Sequence, residues 1–271
     1  MQINIITGLL GSILATILIL LTRLAFYKIR DMFPARALFK GIVGSDDPFL
    51  VFIVRLTDPQ RDGRFLTPVP RYAVVTPQEE YEPRQHIPWV NSIDETYSVA
   101  HILNVLGIAG RRKNIRIVFV DRDYDQWDAP MFILGGNWKA HRAFESCDPY
   151  FVFRDNSFIL EPTSETFCPS TADNDMGLLQ KMINPTTGQP VWLAMGWRGA
   201  GTDAASYAIW KWWKELGILF GSRTFGLLLE MNDRDGWQQS IIVRLYPLPC
   251  WYKRALHPLA WRRLRRSMIQ R

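Results

Sequence analysis

The chain has 271 residues, of which 48% are hydrophobic and 21% are charged. This balance is typical of a chain that buries a core, and it excludes an intrinsically disordered protein. The length beyond the first 40 residues is sufficient for one large domain, which we place at residues 41–247.

The net charge of +6 is distributed unevenly. Residues 1–40 carry five basic side chains and one acid, residues 236–271 carry eight basic side chains and no acid, and the part between them holds 19 basic against 25 acidic side chains. An acidic middle lacks the basic stripe with which a domain follows phosphates. We therefore expect no nucleic acid partner.

Cysteine and histidine give no sign of a cofactor. Cys147, Cys168 and Cys250 are odd in number and form no CxxC pair, and the four histidines lie in no HExxH pattern. Paired spacing of these residue types is what a disulfide framework or a zinc site requires. We expect no metal, and the sequence leaves any organic cofactor unknown.

An uncharged run rich in Ile and Leu covers residues 5–22. At 1.5 Å per residue its length approaches that of a hydrocarbon core of about 30 Å, whereas the core of a signal peptide is shorter. The run therefore predicts an uncleaved single-pass transmembrane helix, with residues 1–40 as anchor and basic juxtamembrane segment. A buried core helix is the alternative, and it is disfavoured because the run is apolar all round.

Basic side chains follow the apolar run and do not precede it. They are Arg23, Lys28, Arg30, Arg36 and Lys40. By the positive-inside rule, the domain then lies on the cytoplasmic side of the inner (plasma) membrane, with the lipid bilayer as its first partner. Gly8 and Gly11 leave open a homo-oligomer formed through this helix.

The first half of the domain alternates strands with helices. Ser92 and Glu95 form a capping box at the start of a helix that Gly107 is expected to end. Apolar runs predict strands at residues 49–54, 72–75, 115–120 and 131–134. The order is βαβ-like, which favours parallel pairing.

The second half is built from hairpins. YFVF and FIL flank the turn RDNS, GLLQKMI and QPVWLAM flank NPTTG, and a last hairpin runs from Phe225 through DRDG to residues 241–243. A helix is predicted at residues 202–216. The predicted fold class is α/β: a transmembrane helix, then a Rossmann-like domain with a mixed, mainly parallel sheet and antiparallel hairpins. Residues 248–271 form a basic aromatic tail, which we expect at lipid headgroups, with a merely solvated basic tail as the alternative.

A glycine-rich loop in VWLAMGWRGAGTDAA joins a strand to the helix that Thr202 is expected to cap. Glycine lets the backbone approach an anion, and the start of a helix favours negative charge. Asp203 would oppose such an anion, and a tight turn that needs glycine only for packing remains the alternative. The candidate ligand-binding residues are Gly196, Trp197, Gly199, Gly201 and Thr202.

A second glycine loop, Gly135, Gly136 and Asn137, follows the strand MFIL and precedes the probable helix WKAHRAFES. Ligands in open α/β sheets bind beyond the carboxyl ends of the strands. If the two strands are parallel neighbours, both loops face one crevice. Positive charge would then come from Lys139, His141 or Arg142. Trp197 either packs in the core, as is usual for tryptophan, or stacks on a flat ligand. An ordinary helix cap with solvated cations is the alternative.

The elements FILGGNWKA and NPTTGQPVWLAMGWRGAGTDAA resemble those of an uncharacterised bacterial family of membrane-anchored Rossmann-like proteins with paired GGP/GGN and GxxGxGTxAA motifs. The resemblance covers residues 50–220. Here Asn137 stands directly after the glycines, where proline is usual, so the resemblance does not extend to the exact shape of that loop. The resemblance implies a fold and the location of a site, and it implies no reaction.

Three functional hypotheses follow. The first is a membrane-anchored cytoplasmic sensor or effector module that binds a nucleotide-like or anionic small ligand through the two loops. The second is a membrane-tethered enzyme acting on a nucleotide, although its candidate acids and bases form no recognisable pair or triad, and the P-loop and GxSxG motifs are absent. The third is a structural membrane scaffold. The candidate acids and bases are Glu79, Glu80, Asp121, Asp123 and His141.

Overall fold

A computed structural model describes residues 2–53, 93–111, 113–119, 127–136, 138–232 and 235–268. Within these ranges the side chains of residues 2–12, 27–28, 93–96, 119 and 138 lie outside the description. The predicted strand at 72–75 lies outside the described residues. So do the candidate residues Glu79, Glu80, Asp121, Asp123 and Asn137.

The helices of the described residues vary widely in length. They are α1 (Gln2–Leu38), α2 (Ile93–Ala109), α3 (Trp138–Ser146), α4 (Gly199–Leu219), α5 (Trp251–Leu256) and α6 (Pro258–Arg266), together with a short 3-10 helix (Trp237–Gln239). The strands are β1 (Phe49–Ile53), β2 (Ile115–Phe119), β3 (Met131–Leu134), β4 (Phe151–Arg154), β5 (Ser157–Leu160), β6 (Glu165–Phe167), β7 (Asn174–Ile183), β8 (Pro190–Gly196), β9 (Phe225–Asn232) and β10 (Ile241–Tyr246).

The strands form a seven-stranded sheet, in the order β10-β9-β7-β8-β3-β1-β2, and a three-stranded sheet, β4-β5-β6. In the larger sheet β2, β1, β3 and β8 are parallel neighbours, whereas β7, β9 and β10 join by antiparallel pairing. The small sheet is antiparallel throughout. The predicted α/β class, with a mixed sheet and antiparallel hairpins, is confirmed.

The central strands are buried on both faces, as their continuous apolar runs predict. On one face, Phe49 and Trp192 belong to the core that the sheet shares with α1, α2, α4 and α6. On the other face, Leu50 and Phe52 pack in a second core with α3 and with Phe151 of the small sheet. This is the two-sided covering of a doubly wound sheet.

Most predicted elements are present within a few residues of the expected bounds. Strand β3 and helix α3 have the predicted limits. Helix α2 continues past Gly107 to Ala109, and the third strand of the small sheet, β6, was not predicted. Strand β6 has only three residues, of which Glu165 and Thr166 are polar and exposed and Phe167 is half-buried, so it carries no apolar pattern.

The last turns of α1 are part of the domain core. Ala35, Leu38, Phe39 and Ile42 are fully buried among residues of α2 and α4. Packing is therefore continuous across residue 40, where the sequence predicted the end of the anchor. The helix and the domain are joined by core contacts as well as by the chain.

The preceding part of α1 is exposed. Large apolar side chains between residues 13 and 26 have exposed fractions of 47–66%. Within the part of the chain that the structure describes, no helix is sufficiently long and apolar to cross a membrane.

Helix α1 lies parallel to α4. Asp31 Oδ1 accepts a hydrogen bond from Lys214 Nζ at 2.5 Å, and the two residues are 183 positions apart. Pro34 and Gly217 also touch, since a Cβ on Gly217 would clash with the carbonyl oxygen of Pro34. This pair has the same separation in sequence. Two contacts at a constant separation mean that both helices run in the same direction.

Lys181 lies beneath the ends of both helices. Its Nζ donates to the carbonyl oxygens of Leu38 at 2.6 Å and Gly221 at 3.4 Å, and it lies 5.2 Å from the ring centroid of Trp192. Carbonyl groups at a helix end favour a cation. Only 1% of Lys181 is exposed, and burial lowers its pKa to about 7.

The C-terminal helices pack against the end of α4. Arg223 Nη1 lies 2.8 Å from Cys250 Sγ, directly before α5. In α6, Leu264 is fully buried and Arg263 Nη1 donates to Glu215 Oε1 at 3.4 Å. The predicted tail is therefore folded onto the helical face of the sheet.

We expect the free energy of unfolding to rise between pH 7 and 9. Native Lys181 loses its proton near pH 7, whereas an unfolded lysine keeps it until about pH 10. The unfolded state then binds more protons in this window, so a higher pH favours the native state. Lys181→Met should flatten the rise in urea unfolding measured at pH 7, 8 and 9. The exposed Lys40→Met is the control, and an unchanged rise in Lys181→Met would contradict the assignment.

Candidate functional site

The carboxyl ends of β3 and β8 lie side by side. The strands pair in parallel, with Leu134 opposite Ala194, and the Gly135 N–H donates to the Ala194 carbonyl at 2.9 Å. The two glycine loops that follow these strands are therefore neighbours. The condition for a shared crevice, that the strands are parallel neighbours, is met.

The two glycines after β3 differ in role. Gly135 has a φ of +78°, a conformation that favours glycine, so it serves the turn. Gly136 is exposed, and a Cβ there would lie 3.5 Å from Met195 Cε and 4.0 Å from the Gly196 carbonyl oxygen. These are ordinary contact distances, so a small side chain fits at Gly136.

Helix α4 begins earlier than predicted, at Gly199 with Arg198 as its N-cap residue. The prediction that Thr202 caps the helix is therefore wrong. Thr202 lies in the first turn, where its Oγ1 accepts a hydrogen bond from the Gly196 N–H at 2.9 Å. The Thr202 hydroxyl therefore holds the strand-to-helix turn from within the first turn of α4. The backbone N–H groups at the start of α4 are bound by another group.

That group is the carboxylate of Asp175, at the start of β7. Oδ1 accepts from the N–H groups of Met176 at 2.8 Å and Arg198 at 3.0 Å, and Oδ2 accepts from Gly201 N–H at 2.5 Å. Asp175 is fully buried. An internal carboxylate thus binds donors at the start of α4, where a free helix N-terminus would attract an external anion.

Burial raises the pKa of Asp175 to about 6, and the N–H groups of Gly201, Arg198 and Met176 act against this rise. A carboxyl group with this pKa is mostly ionised at neutral pH. The backbone N–H groups of Arg198 and Gly201 bind this carboxylate. Trp197 and Gly199 are exposed, and for these two residues ligand contact through the loop remains a prediction.

Three glycines let α4 approach the sheet closely. A Cβ on Gly201 would clash with the Met176 carbonyl oxygen, a Cβ on Gly177 would clash with the Gly201 carbonyl oxygen, and a Cβ on Gly196 would clash with the backbone of Arg198. The glycines at 196 and 201 therefore serve the tight strand-to-helix turn, which was the alternative interpretation of the motif.

Trp197 and Arg198 form the outer surface of the loop. Trp197 is 37% exposed, and its backbone N–H donates to the Met176 carbonyl at 2.8 Å. The Arg198 guanidinium lies 5.9 Å from the Trp197 ring centroid and donates to the carbonyl oxygens of Ala172 and Asn174. An aromatic face and a cation are thus held together beside exposed Gly199.

The three cations predicted near the first loop separate. Lys139 is fully buried, with its Nζ 4.4 Å from the ring centroid of Phe52 and 4.6 Å from that of Trp127. This is a cation–π arrangement below the loops. His141 and Arg142 lie on the exposed face of α3, where Arg142 forms an ion pair with Glu145 at 3.7 Å.

Asp203 belongs to a polar network with α2. It is fully buried, and its Oδ1 accepts from Ser98 Oγ at 3.0 Å. Ser206 Oγ donates to Ser98 Oγ at 2.8 Å, and His101 Nδ1 lies 3.5 Å from Ser206 Oγ. This polar network joins α2 to α4, and burial lowers the pKa of His101. Sequence reasoning missed it because its members come from two separate helices.

Aromatic side chains surround His101 at the surface. Tyr207 lies 4.6 Å from Trp237 and 5.3 Å from Trp210, measured between ring centroids, and His101 lies 5.1 Å from Trp237. Trp210 is 38% exposed, whereas Trp212 is buried in the core. The tryptophans of α4 therefore divide between core and surface.

Comparison with known proteins gives no family for this chain. No family model matches it, and neither the curated proteins nor the solved structures contain a match. The bacterial family that the two motifs resemble stays a prediction, and function has to be inferred from the fold and the geometry described above.

We expect Asp175→Asn to destabilise the protein. The amide keeps the size of the carboxylate but turns an NH2 group toward one of three buried N–H donors, and an unsatisfied buried donor costs about 1–3 kcal/mol. Urea unfolding at pH 7.5 measures the loss. Asp173→Asn, at an exposed position two residues away, is the matched control. Equal unfolding midpoints for both variants would contradict the role of Asp175.

Proposed function

We propose that this protein is a membrane-anchored cytoplasmic sensor or effector module that binds a nucleotide-like or otherwise anionic small ligand at the two glycine loops. The observation that carries this proposal is the adjacency of the loops after β3 and β8. They lie at the carboxyl edge of parallel strands, where open α/β sheets bind their ligands.

The proposed anchor is the N-terminal part of α1. The run at residues 5–22 is uncharged, and its described apolar side chains are about half exposed or more. Apolar surface of this extent on a soluble protein calls for a partner. A bilayer supplies one, and the basic residues that follow the run support a cytoplasmic position of the domain by the positive-inside rule.

The proposed ligand contacts are those exposed at the loops. A flat base can stack on the Trp197 ring, and a phosphate can approach the Arg198 guanidinium and the backbone of Gly136 and Gly199. Asp175 supports this arrangement from behind, because its carboxylate fixes the Arg198 and Gly201 N–H groups. The ligand then contacts a loop whose shape is already set.

The anchor is tested by topology and flotation. We expect the full chain to float with lipid vesicles and to resist extraction at high pH, and we expect a reporter fused after Arg271 to be active in the cytoplasm. Replacing Leu14 and Leu18 with arginine should abolish flotation, because charge in the hydrocarbon core costs about 3 kcal/mol per residue. Replacing the exposed Phe33 with arginine is the control, since this residue lies beyond the apolar run. A periplasmic reporter signal would overturn the orientation.

The ligand site is tested by Gly136→Ala. The added methyl group fits without a clash but occupies the space between the loops. We expect at least a tenfold loss of affinity for the best of three phosphate-bearing probes, ATP, NAD and inorganic pyrophosphate, in equilibrium dialysis. Gly107→Ala is the control, because a Cβ there meets nothing within 4 Å and lies in α2. Unchanged affinity in Gly136→Ala, or no binding of any probe to the unmodified protein, would contradict the proposed site.

A further inference from the structure

We propose that the carboxyl edge of the seven-stranded sheet, with Trp197 at its rim, faces the bilayer and lies at the level of the lipid headgroups. This inference rests on the proposed membrane anchor and adds an orientation to it. The partner of this surface is the lipid surface of the membrane that holds α1.

The direction of α1 sets the orientation. Helix α4 begins at the carboxyl edge, three residues after β8 ends, and runs away from it. Helix α1 is parallel to α4, because the contacts of Asp31 with Lys214 and of Pro34 with Gly217 have the same separation in sequence. Followed toward its N-terminus, α1 therefore leaves the domain on the side of the carboxyl edge.

A second helix gives the same direction. Ser98 contacts Asp203 and His101 contacts Ser206, and both pairs are 105 residues apart. Helices α2 and α4 are thus parallel as well. All three helices run opposite to the parallel strands, as the helices of a doubly wound sheet do, so the direction of α1 belongs to the fold.

Helix lengths give the height of the edge. From Lys214 back to Gly199 there are fifteen residues, which is about 22 Å of helix at 1.5 Å per residue. From Asp31 back to Thr22, the last residue of the apolar run, there are nine residues, or about 14 Å. If the two axes cross at about 50°, the first length still projects to about 14 Å along α1. The carboxyl edge therefore reaches the level of Thr22, the end of the apolar run that is nearest to the domain.

The chemistry of the edge fits an interface between water and lipid. Trp197 exposes its ring beside the Arg198 guanidinium, and tryptophan is enriched at the headgroup level of membrane proteins. Arg23 of α1 directly follows Thr22 and therefore lies at the same height. A ligand of the glycine loops must then reach them along the membrane surface.

The opposite end of the domain offers a competing surface. Helix α5 begins beside Arg223, after the end of α4, and its residues Trp251 and Leu256 are 75% and 70% exposed. The tail was expected at lipid headgroups from its sequence. In the orientation inferred here α5 points away from the bilayer, so the two surfaces make opposite predictions.

The test compares fluorescent probes at the two ends of the full chain. Ala172→Cys places a probe at the carboxyl edge, where the Ala172 carbonyl accepts from Arg198, and Leu256→Cys places one on α5. Both are made with Cys168→Ser and Cys250→Ser, and buried Cys147 is retained. The proteins are reconstituted in phosphatidylglycerol and phosphatidylcholine vesicles that contain a lipid with a nitroxide on its headgroup.

We expect the probe at position 172 to be quenched at least threefold more strongly than the probe at position 256. Equal quenching, or stronger quenching at 256, would overturn the orientation while flotation still supports the anchor. A protein that does not float with the vesicles would overturn the anchor and the orientation together. Flotation and quenching are measured on the same samples, so the two failures are distinguishable.

Discussion

The contact between the Pro34 carbonyl and Gly217 fixes how the N-terminal helix meets the domain. Any side chain at 217 would force α1 away from α4, and the burial of Leu38 and Phe39 depends on that close approach. Lys181 binds the ends of both helices from below. Helix α1 is therefore a core element whose N-terminal part continues outward, and its direction is tied to that of the sheet.

The start of α4 depends on a comparable close approach. Gly177 and Gly201 bring the backbones of β7 and α4 together, and this places Asp175 against the helix N-terminus. The motif that resembles a phosphate cradle in sequence thus holds a carboxylate of the protein itself. Glycine spacing alone predicts that an anion is near, and it does not predict whether the anion is internal or external.

Local patterns were sufficient where the determining residues are neighbours in sequence. The apolar run MFIL and the segment WKAHRAFES after the glycine loop gave the observed bounds of β3 and α3. The start of α4 was misplaced because its N-terminal donors are bound by Asp175, which lies on another strand. The burial of Lys181 was equally unpredictable, since the carbonyl groups that bind it come from the ends of two distant helices. In each case the deciding partner is remote in sequence.

The same remote contacts connect the proposed ligand site to the proposed anchor. A ligand at Trp197 and Gly199 contacts the first turn of α4, and α4 reaches Gly217, where it touches α1. One helix thus extends from the glycine loop to the part of α1 that lies in the domain core, and the Pro34–Gly217 contact holds the two helices together there.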